Sequence, residues 1–273
     1  MDEDLKDFPL HPKQHGFLSN KGTESDLSNT TNFIEKYLFR NEMVLGIFLD
    51  ISAAFDSIQP DHIRRQLIKH GGDPDLIEWY YNYLIHRDIH IELQGEEAQY
   101  STSIGFPQGG VCSAKFWLIA FDPAIRILNS GGVEGNGFAD DCSALVGGKN
   151  LKEMINKMQA VTDKLTDWGR ECGLKFNASK TVAVLFKRKG PEPAHFIKID
   201  RSIIQYSESV RYLGIEIDAR LHWRMHIQEK IDKAKNYLLK ISNLTRKQLG
   251  PKPKLMRWAF TCLLYTSPSP RDS

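Results

Sequence analysis

The apolar positions of this chain follow two periods, and the change between them separates helices from strands. Over residues 151–172 apolar side chains recur every three or four positions, which predicts an amphipathic helix. Residues 43–50 open with an unbroken apolar run, typical of a strand covered on both faces. Five other helices are predicted over residues 23–40, from Pro60, from Asp73, over 111–128 and over 223–245. Further strands are predicted over 89–93, 100–104, 181–186, 197–199 and 203–205.

The order of these elements indicates the fold class. They do not alternate as strand, helix and strand, which argues against a repeated βαβ unit and a parallel sheet. They favour the α+β class, with an antiparallel sheet and helices packed on one of its faces.

Carboxylates stand where two of the predicted strands end. Asp50 closes the apolar run, and Asp140 and Asp141 are adjacent in a tight strand-turn-strand segment. Three gathered carboxylates repel one another, so burying them without a cation is costly. Oxygen ligands without neighbouring His or Cys favour Mg²⁺ or Mn²⁺ over zinc, and hence phosphoryl transfer on a nucleotide. An isolated Asp-Asp pair is equally typical of a solvated turn.

Other motifs surround these carboxylates in a fixed order. Gln14-His15-Gly16-Phe17 precedes them, Phe106-Pro107-Gln108-Gly109 lies between them, and the Lys180 segment and Tyr212-Leu213-Gly214 follow. Over roughly residues 12–260 the chain thereby resembles the reverse transcriptases of non-LTR (LINE-type) retrotransposons, most of all those of jockey-related elements. In that family's order the Asp50 segment resembles motif A, Phe106-Pro107-Gln108-Gly109 motif B, Phe138-Ala139-Asp140-Asp141 motif C, the Lys180 segment motif D and Tyr212-Leu213-Gly214 motif E.

The resemblance implies an RNA-directed DNA polymerase with a palm, part of the fingers before it and the start of a helical thumb after it. The expected partners are an RNA template, a DNA primer, dNTPs and two Mg²⁺ (or Mn²⁺) ions. Asp50 and Asp140 are the expected bridging ligands, with the backbone carbonyl of Ile51 as a further one. Asp141 ranks third, because adjacent strand residues point to opposite faces.

The same resemblance assigns the nucleotide and primer contacts. Phe55 would lie beneath the sugar and exclude a 2′-hydroxyl, although a plain core Phe is the alternative. Pro107, Gln108, Gly109 and Gly110 would approach the bound base pair, with Gly110 replacing the usual Ser. Lys180 would assist the departing pyrophosphate, or else is a surface lysine. Tyr212, Leu213 and Gly214 would steady the primer end.

Net charge is only +2, yet the C-terminal part is strongly basic. Residues 220–258 contain eleven Lys or Arg and two acidic residues. Arg224, Lys230 and Lys233 are therefore expected to contact nucleic acid, the alternative being a solvated helix face.

Composition narrows the class of protein further. No apolar run approaches the roughly 20 residues of a membrane span, and the acidic N-terminus lacks the order of a secretory signal. Of the four cysteines, Cys262 lies in the C-terminal segment considered below, and the other three, Cys112, Cys142 and Cys172, are scattered and give neither a disulfide framework nor a zinc site. Composition therefore predicts an intracellular protein with no membrane partner, and the resemblance implies that it is cytoplasmic as a ribonucleoprotein and nuclear at the insertion site.

The expected organisation follows from the motif order. An N-terminal tail (1–11) precedes partial fingers and palm insertions (12–42 and 58–105), palm (43–57 and 106–205), a primer-grip-like turn (206–218) and the basic start of a thumb (219–261). Residues 262–273 read as a translated sequencing adapter, the alternative being a natural Ser/Pro tail. The chain is thus expected to belong to a larger polyprotein with an endonuclease, and the fragment alone to be inactive. A non-catalytic relic or host-captured copy that only binds nucleic acid is the second hypothesis, and a viral RNA polymerase is a distant third.

Overall fold

The computed structural model describes residues 9–110, 112–188 and 196–245, together with residues 254, 257 and 258. The chain divides into two compact units, Met1–Ser207 and Glu208–Ser273. The helices of the first unit are α1 (Thr23–Phe39), α2 (Ala54–Ser57), α3 (Pro60–Lys69), α4 (Pro74–Ile85), α5 (Ser113–Leu128) and α6 (Leu151–Cys172). Its strands are β1 (Met43–Leu49), β2 (Ile51–Ser52), β3 (Arg87–Leu93), β4 (Glu96–Thr102), β5 (Glu134–Phe138), β6 (Asp141–Gly148), β7 (Lys175–Phe176), β8 (Val182–Phe186), β9 (Lys198–Ile199), β10 (Ser202–Ile203) and β11 (Gln205–Tyr206).

Five of these strands form the central sheet, in the order β11-β8-β1-β6-β5. All neighbours in it are antiparallel except β11 and β8. The central strand β1 is buried from its second residue to its last. This burial is expected for an apolar strand that has a strand on either side and no face in solvent. The mostly antiparallel sheet and the separate helices confirm the α+β class predicted from the sequence.

Helices lie on both faces of the central sheet, which differs from the expectation of one face. In β5, ideal Cβ atoms at Gly135 and Gly137 would meet Leu128 and Ile125 of α5. The intervening Asn136 points the other way and donates its amide N–H to the Thr30 hydroxyl of α1. Because successive strand residues face opposite sides, α5 and α1 must cover opposite faces. The two-sided apolar pattern of β1 already required such a second cover.

Local capping explains where several helices begin and end. The Asp73 carboxylate accepts from the Leu76 backbone N–H, and Pro74 occupies the first turn of α4. At α6 the Asn150 side chain accepts from two backbone N–H groups, and Gly173, with φ +84°, ends the helix in the left-handed conformation. The predicted bounds of this helix, 151–172, agree with the observed ones.

Strands β3 and β4 pair only with each other and make a hairpin that we call the exposed hairpin. Nearly all of its side chains are exposed, including Leu93 at 70% and Tyr100 at 67%. The second strand spans Glu96–Thr102, whereas the sequence predicted 100–104. The Gln94-Gly95 turn sets this register, with positive φ at both residues.

The second unit contains another hairpin and a helix. Strands β12 (Ser209–Tyr212) and β13 (Ile215–Asp218) pair antiparallel, and α7 spans Arg224–Thr245. The predicted helix over 223–245 is confirmed. Residues 191–193, where the sequence Pro-Glu-Pro predicts a loop, and the adapter-like residues 262–273 lie outside the described residues. None of the described helices combines the length and the apolar character needed to cross a bilayer.

Candidate active site

Strand pairing brings the three predicted carboxylates to one end of the central sheet. Strands β5 and β6 are joined by Ala139 and Asp140, and we call residues 138–141 the carboxylate turn. The last pair between β1 and β6 is Leu49 with Cys142, so the next positions along the two strands are Asp50 and Asp141. The register therefore faces Asp50 with Asp141, the residue that the sequence ranked third. The ranking of Asp140 above Asp141 stays a prediction.

Burial and neighbouring negative charge both raise the pKa values of Asp140 and Asp141. Desolvation raises the pKa of Asp141 to about 6, with smaller contributions from the negative charges of Asp140 and Asp50. Desolvation also raises the pKa of Asp140, again with repulsion from Asp50. Both residues are nevertheless exposed to solvent, so a cation can reach their carboxylates. The site concentrates negative charge that a bound cation would neutralise.

The backbone of Asp50 is held by the segment that carries Lys180. The Thr181 hydroxyl accepts from the Asp50 N–H at 3.2 Å, and the Asp50 carbonyl accepts from the Asn177 N–H at 2.8 Å. Lys180 itself is an exposed residue in the turn between these two contacts. Ile51 follows in β2, pairs with Phe176 and has a buried side chain. The predicted Lys180 segment thus lies against the end of β1.

The chemistry of this site fits a hard divalent cation. Its donors are carboxylate oxygens, and their raised pKa values show the unfavourable charge that a cation would relieve. Over the described ranges, no set of three or more His, Cys, Asp or Glu side chains forms a ready-made metal site. The three carboxylates are neighbours by register and by charge, and their role as joint ligands belongs to the proposal below.

Two tertiary contacts hold the carboxylate turn, and the sequence analysis had assigned neither. The Trp117 indole of α5 donates its N–H to the Ala139 carbonyl at 2.9 Å. From another segment, Gly16 approaches so closely that a Cβ there would lie 2.4 Å from the Ala139 nitrogen. Ala139 has φ +58°, a conformation that non-glycine residues rarely adopt without outside support.

The segment carrying Gly16 runs alongside β5 and is hydrogen-bonded to it at one position. The His15 N–H donates to the Gly137 carbonyl at 2.7 Å, and the Gly137 N–H donates to the Lys13 carbonyl at 3.0 Å. Gln14 forms a parallel bridge with Gly137. The sequence identified this segment only by its resemblance, whereas its close packing on the carboxylate turn gives it a physical role.

Phe55, the predicted sugar contact, lies in a cluster of aromatic rings. Its ring stacks on Trp117, with centroids 4.9 Å apart, and meets the edge of Phe106 at 6.2 Å. Phe55 is half-buried, so part of its side chain stays accessible. Trp117 therefore contacts both Phe55 and the carboxylate turn, and nothing in its apolar helical pattern distinguished it from an ordinary core residue.

The loop of the predicted base-pair contacts, Pro107 to Gly110, follows two residues that are attached to the chain around Phe55. The Phe106 N–H donates to the Phe55 carbonyl at 2.6 Å, and the Gly105 N–H donates to the Ile58 carbonyl at 2.9 Å. Gly109 is open to its surroundings, in keeping with the predicted close approach of a ligand.

Gly110 occupies a much tighter position in this loop than Gly109. A Cβ there would lie 2.6 Å from the Ser113 hydroxyl oxygen, and that hydroxyl donates to the Pro107 carbonyl at 2.8 Å. The glycine that replaces the usual Ser is therefore fitted to this arrangement of Ser113 and Pro107.

The predicted primer and nucleic-acid residues lie in the second unit. Tyr212 is buried, and Leu213 and Gly214 form the β12–β13 turn with φ of +47° and +79°. On α7, Arg224 and Lys233 are exposed and Lys230 is half-buried. Glu229 partly offsets the local positive charge, because it forms ion pairs with Lys233 at 2.6 Å and Arg211 at 3.4 Å.

The fold, with carboxylates at one end of its central sheet, is that of a nucleotide polymerase palm, and the chain is similar to known proteins of this class. Residues 2–217 match the family described as reverse transcriptase (RNA-dependent DNA polymerase). The chain belongs to this family, and the resemblance stated from its motifs is confirmed. Enzymes of this family generally use divalent metals.

Individual relatives point to mobile elements. The RNA-directed DNA polymerase from mobile element jockey of Drosophila melanogaster is 26% identical over 78% of the chain and 24% of the relative. The Pol polyprotein from type-1 retrotransposable element R1 of Bradysia coprophila is 22% identical over 97% of the chain and 26% of the relative. The chain thus spans about a quarter of the length of the curated relatives that it matches.

Solved structures agree on the fold. Telomerase from Candida tropicalis, in complex with a fragment of telomeric RNA, matches 80% of the chain and 34% of its own length with a TM-score of 0.55. Apo telomerase from the same organism matches 76% of the chain and 39% of its own length with a TM-score of 0.54. At 12% and 13% sequence identity these similarities carry the palm architecture and no more.

Proposed function

We propose that this chain is the catalytic part of a reverse transcriptase of a non-LTR retrotransposon. It would add dNTPs to a DNA primer on an RNA template, within a polyprotein that also carries an endonuclease. The main support for the proposal is the register of β1 and β6, which places Asp50 beside the carboxylate turn at one end of the central sheet. The family membership of residues 2–217 supports the same reaction.

The carboxylates would act as ligands of the metal ions in the proposed reaction. When bound, two Mg²⁺ (or Mn²⁺) ions would supply the charge stabilisation for in-line displacement at the α-phosphate. Asp50 and Asp140 would hold both ions, with Asp141 and the Ile51 carbonyl as additional donors. Lys180, carried on the turn beside Asp50, would stabilise negative charge on the departing pyrophosphate.

Residues around this centre would select and orient the nucleotide. Phe55 is held flat against Trp117, and a ring fixed in this way can exclude a 2′-hydroxyl. The loop of Pro107, Gln108, Gly109 and Gly110 would contact the templating pair. Its attachment to the Phe55 backbone would keep sugar selection and base contact in register.

The second unit would contribute to holding the nucleic acid. Tyr212, Leu213 and Gly214 would steady the primer end, and Arg224, Lys230 and Lys233 would contact phosphates along the duplex. Because phosphate contacts release counterions, binding through this helix should weaken steeply as salt rises. We place the protein in the cytoplasm as a ribonucleoprotein and in the nucleus at the insertion site.

Primer extension by the full-length protein that contains these residues tests the proposal. On an RNA template with Mg²⁺, Asp140→Asn should slow dNTP addition by at least about 10²-fold, because a charge at the reacting centre is removed without a change in size. Asp163→Asn removes an exposed carboxylate on α6 and should leave the rate unchanged.

Two outcomes would contradict the proposal. Extension at the native rate by Asp140→Asn would remove the carboxylate turn from the chemistry. A native protein that binds the primer–template duplex and never extends it would favour the relic hypothesis, in which the chain only binds nucleic acid.

A further inference from the structure

Gln108 is hydrogen-bonded to Asp56, a residue of the Asp50 segment to which the sequence assigned no role. Its side-chain amide nitrogen lies 3.1 Å and 3.2 Å from the two carboxylate oxygens of Asp56. The two residues are separated by 52 positions and both are exposed. An exposed side-chain pair made from two predicted motif segments, with the amide centred on the carboxylate, is a specific arrangement.

The ionised carboxylate fixes the orientation of the amide. A carboxylate can only accept hydrogen bonds, so the NH₂ end of Gln108 must face Asp56. The carbonyl oxygen of the same amide is consequently directed elsewhere, with its lone pairs available. Without Asp56, rotation by half a turn would exchange the donor and acceptor ends at little cost.

The backbone beneath this pair is rigidly set. The Phe106 and Gly105 N–H groups donate to the carbonyls of Phe55 and Ile58, on either side of Asp56. Gly105 also lies so close that a Cβ there would be 2.7 Å from the Asp56 Cα. Since both segments are held at these distances, the contact between the two side chains follows from the fold.

We propose that Asp56 is a positioning residue that orients the Gln108 amide, so that its carbonyl oxygen accepts a hydrogen bond from the incoming nucleotide. The inference rests on the proposed reverse transcription and deepens it at the nucleotide site. Asp56 does not touch the reacting atoms. Its loss should weaken nucleotide binding and leave the chemical step intact.

A double-mutant cycle tests whether Asp56 acts through Gln108. In the full-length protein, Asp56→Ala should raise KM for dNTP by about tenfold, which is the scale of one charge-assisted hydrogen bond, with kcat within about twofold. Gln108→Ala should do the same, and the double variant should be no worse than Gln108→Ala alone. Asp56→Asn keeps an acceptor oxygen and should recover part of the loss.

Asp61→Ala is the matched control. It removes another exposed carboxylate, one that accepts from the Tyr81 hydroxyl at 3.0 Å, and should not change KM for dNTP. If the effects of the Asp56 and Gln108 substitutions on KM were additive, the inference would be overturned. The proposed function would still stand in that case, provided that the native protein extends a primer. A fall in kcat at constant KM would overturn the inference equally.

A second measurement is independent of activity. The side-chain NH₂ signals of Gln108 in an ¹⁵N NMR spectrum should shift in Asp56→Asn and stay in place in Asp61→Asn. If the native protein never extends a primer, the proposed function fails, and these signals still decide the orientation. Unchanged Gln108 signals in Asp56→Asn would show that the carboxylate does not hold the amide.

Discussion

Two hairpins of the first unit have the same loop length and opposite surroundings. In the exposed hairpin, β3 and β4 are joined by Gln94 and Gly95, and most side chains face solvent. In the other, β5 and β6 are joined by Ala139 and Asp140 and lie in a five-stranded sheet between α1 and α5. The turn of the first hairpin lies in solvent and is set by its own two residues, whereas the turn of the second is packed against other segments of the fold.

The difference lies in what fixes each turn. In the exposed hairpin Gln94 adopts φ +55° and Gly95 φ +86°, the positive values that a two-residue hairpin turn requires, and a Cβ at Gly95 would meet no atom within 4 Å. Ala139 adopts φ +58° although it has a side chain, and it is held by the Trp117 indole and by close packing of Gly16. The positions of the proposed catalytic carboxylates are therefore set by tertiary contacts.

The largest expected effect comes from breaking the contact at Gly16. In Gly16→Ala the new methyl would overlap the Ala139 nitrogen, and the turn must shift. A displacement of about 1 Å at a reacting centre can cost about 10²-fold in rate, so dNTP addition should fall by that order. Overpacking should also reduce the free energy of unfolding by about 1–3 kcal/mol.

Gly22→Ala is the matched control for that substitution. A Cβ at Gly22 meets no atom within 4 Å, so both rate and stability should stay near the native values. Single-turnover kinetics and urea unfolding of the two variants measure the contrast. Equal behaviour of the two variants would show that close packing on the carboxylate turn does not matter.

The next effect concerns the hydrogen bond from Trp117. Trp117→Phe keeps an aromatic ring beside Phe55 and removes the donor to the Ala139 carbonyl. The free energy of unfolding should fall by about 1–3 kcal/mol, and dNTP addition should slow. Trp79→Phe, at a residue 64% exposed on α4, should change neither quantity. A native rate of dNTP addition in Trp117→Phe would show that the indole hydrogen bond is not needed to position the carboxylate turn.

The segment that carries His15 packs beside the β5–β6 hairpin, and its contribution to the free energy of unfolding should depend on pH. The Asn29 amide donates to His15 Nε2, so the ring is neutral and its Nδ1–H donates to the Ser25 hydroxyl. Burial lowers the pKa of His15 to about 4, with smaller contributions from Lys21 and Lys13. Folding thus favours the uncharged ring, and this stabilisation is complete above pH 6.5 and is lost as the pH falls to about 4.

His15→Gln isolates this contribution. The native protein should lose more stability than the variant when urea unfolding is compared at pH 7 and pH 4. The difference between the two proteins removes the contribution of titrating carboxylates common to both. Parallel pH dependence in the two proteins would show that His15 does not stabilise the native state in this way.

The smallest effect is expected in the exposed hairpin. Gly95→Ala forces a side chain into the left-handed region at a cost of about 1 kcal/mol. Amide hydrogen exchange of β3 and β4 should quicken, while dNTP addition should stay within about twofold. Loss of activity in this variant would mean that the two hairpins are less independent than their surroundings indicate.

Local patterns predicted the elements of this protein better than the contacts between them. The helix over 151–172 was predicted with its observed bounds, because Asn150 and Gly173 mark its ends in the sequence. The strand ending at Asp50 and the strand-turn-strand at Asp140 were also correctly predicted. The presence of each of these elements is decided by residues within a few positions of one another, whereas the conformation of the turn at Asp140 also depends on Trp117 and Gly16.

Contacts between distant segments could not be predicted in this way. The position of α1 on the second face depends on Thr30 meeting Asn136, which is 106 residues away. The support of Ala139 by Trp117, and of Gln108 by Asp56, likewise joins segments with no shared pattern. One sequence reports which residues are apolar or charged, and only the fold shows which of them meet.

The central claim is that Asp50 and the carboxylate turn bind the same cations, and Mn²⁺ binding followed by electron paramagnetic resonance measures this directly. Asp50→Asn and Asp140→Asn should each weaken Mn²⁺ binding by the full-length protein, although the two residues lie on separate strands. The exposed-site variant Asp163→Asn should bind Mn²⁺ as the native protein does. Native Mn²⁺ affinity in both Asp50→Asn and Asp140→Asn would contradict a shared site.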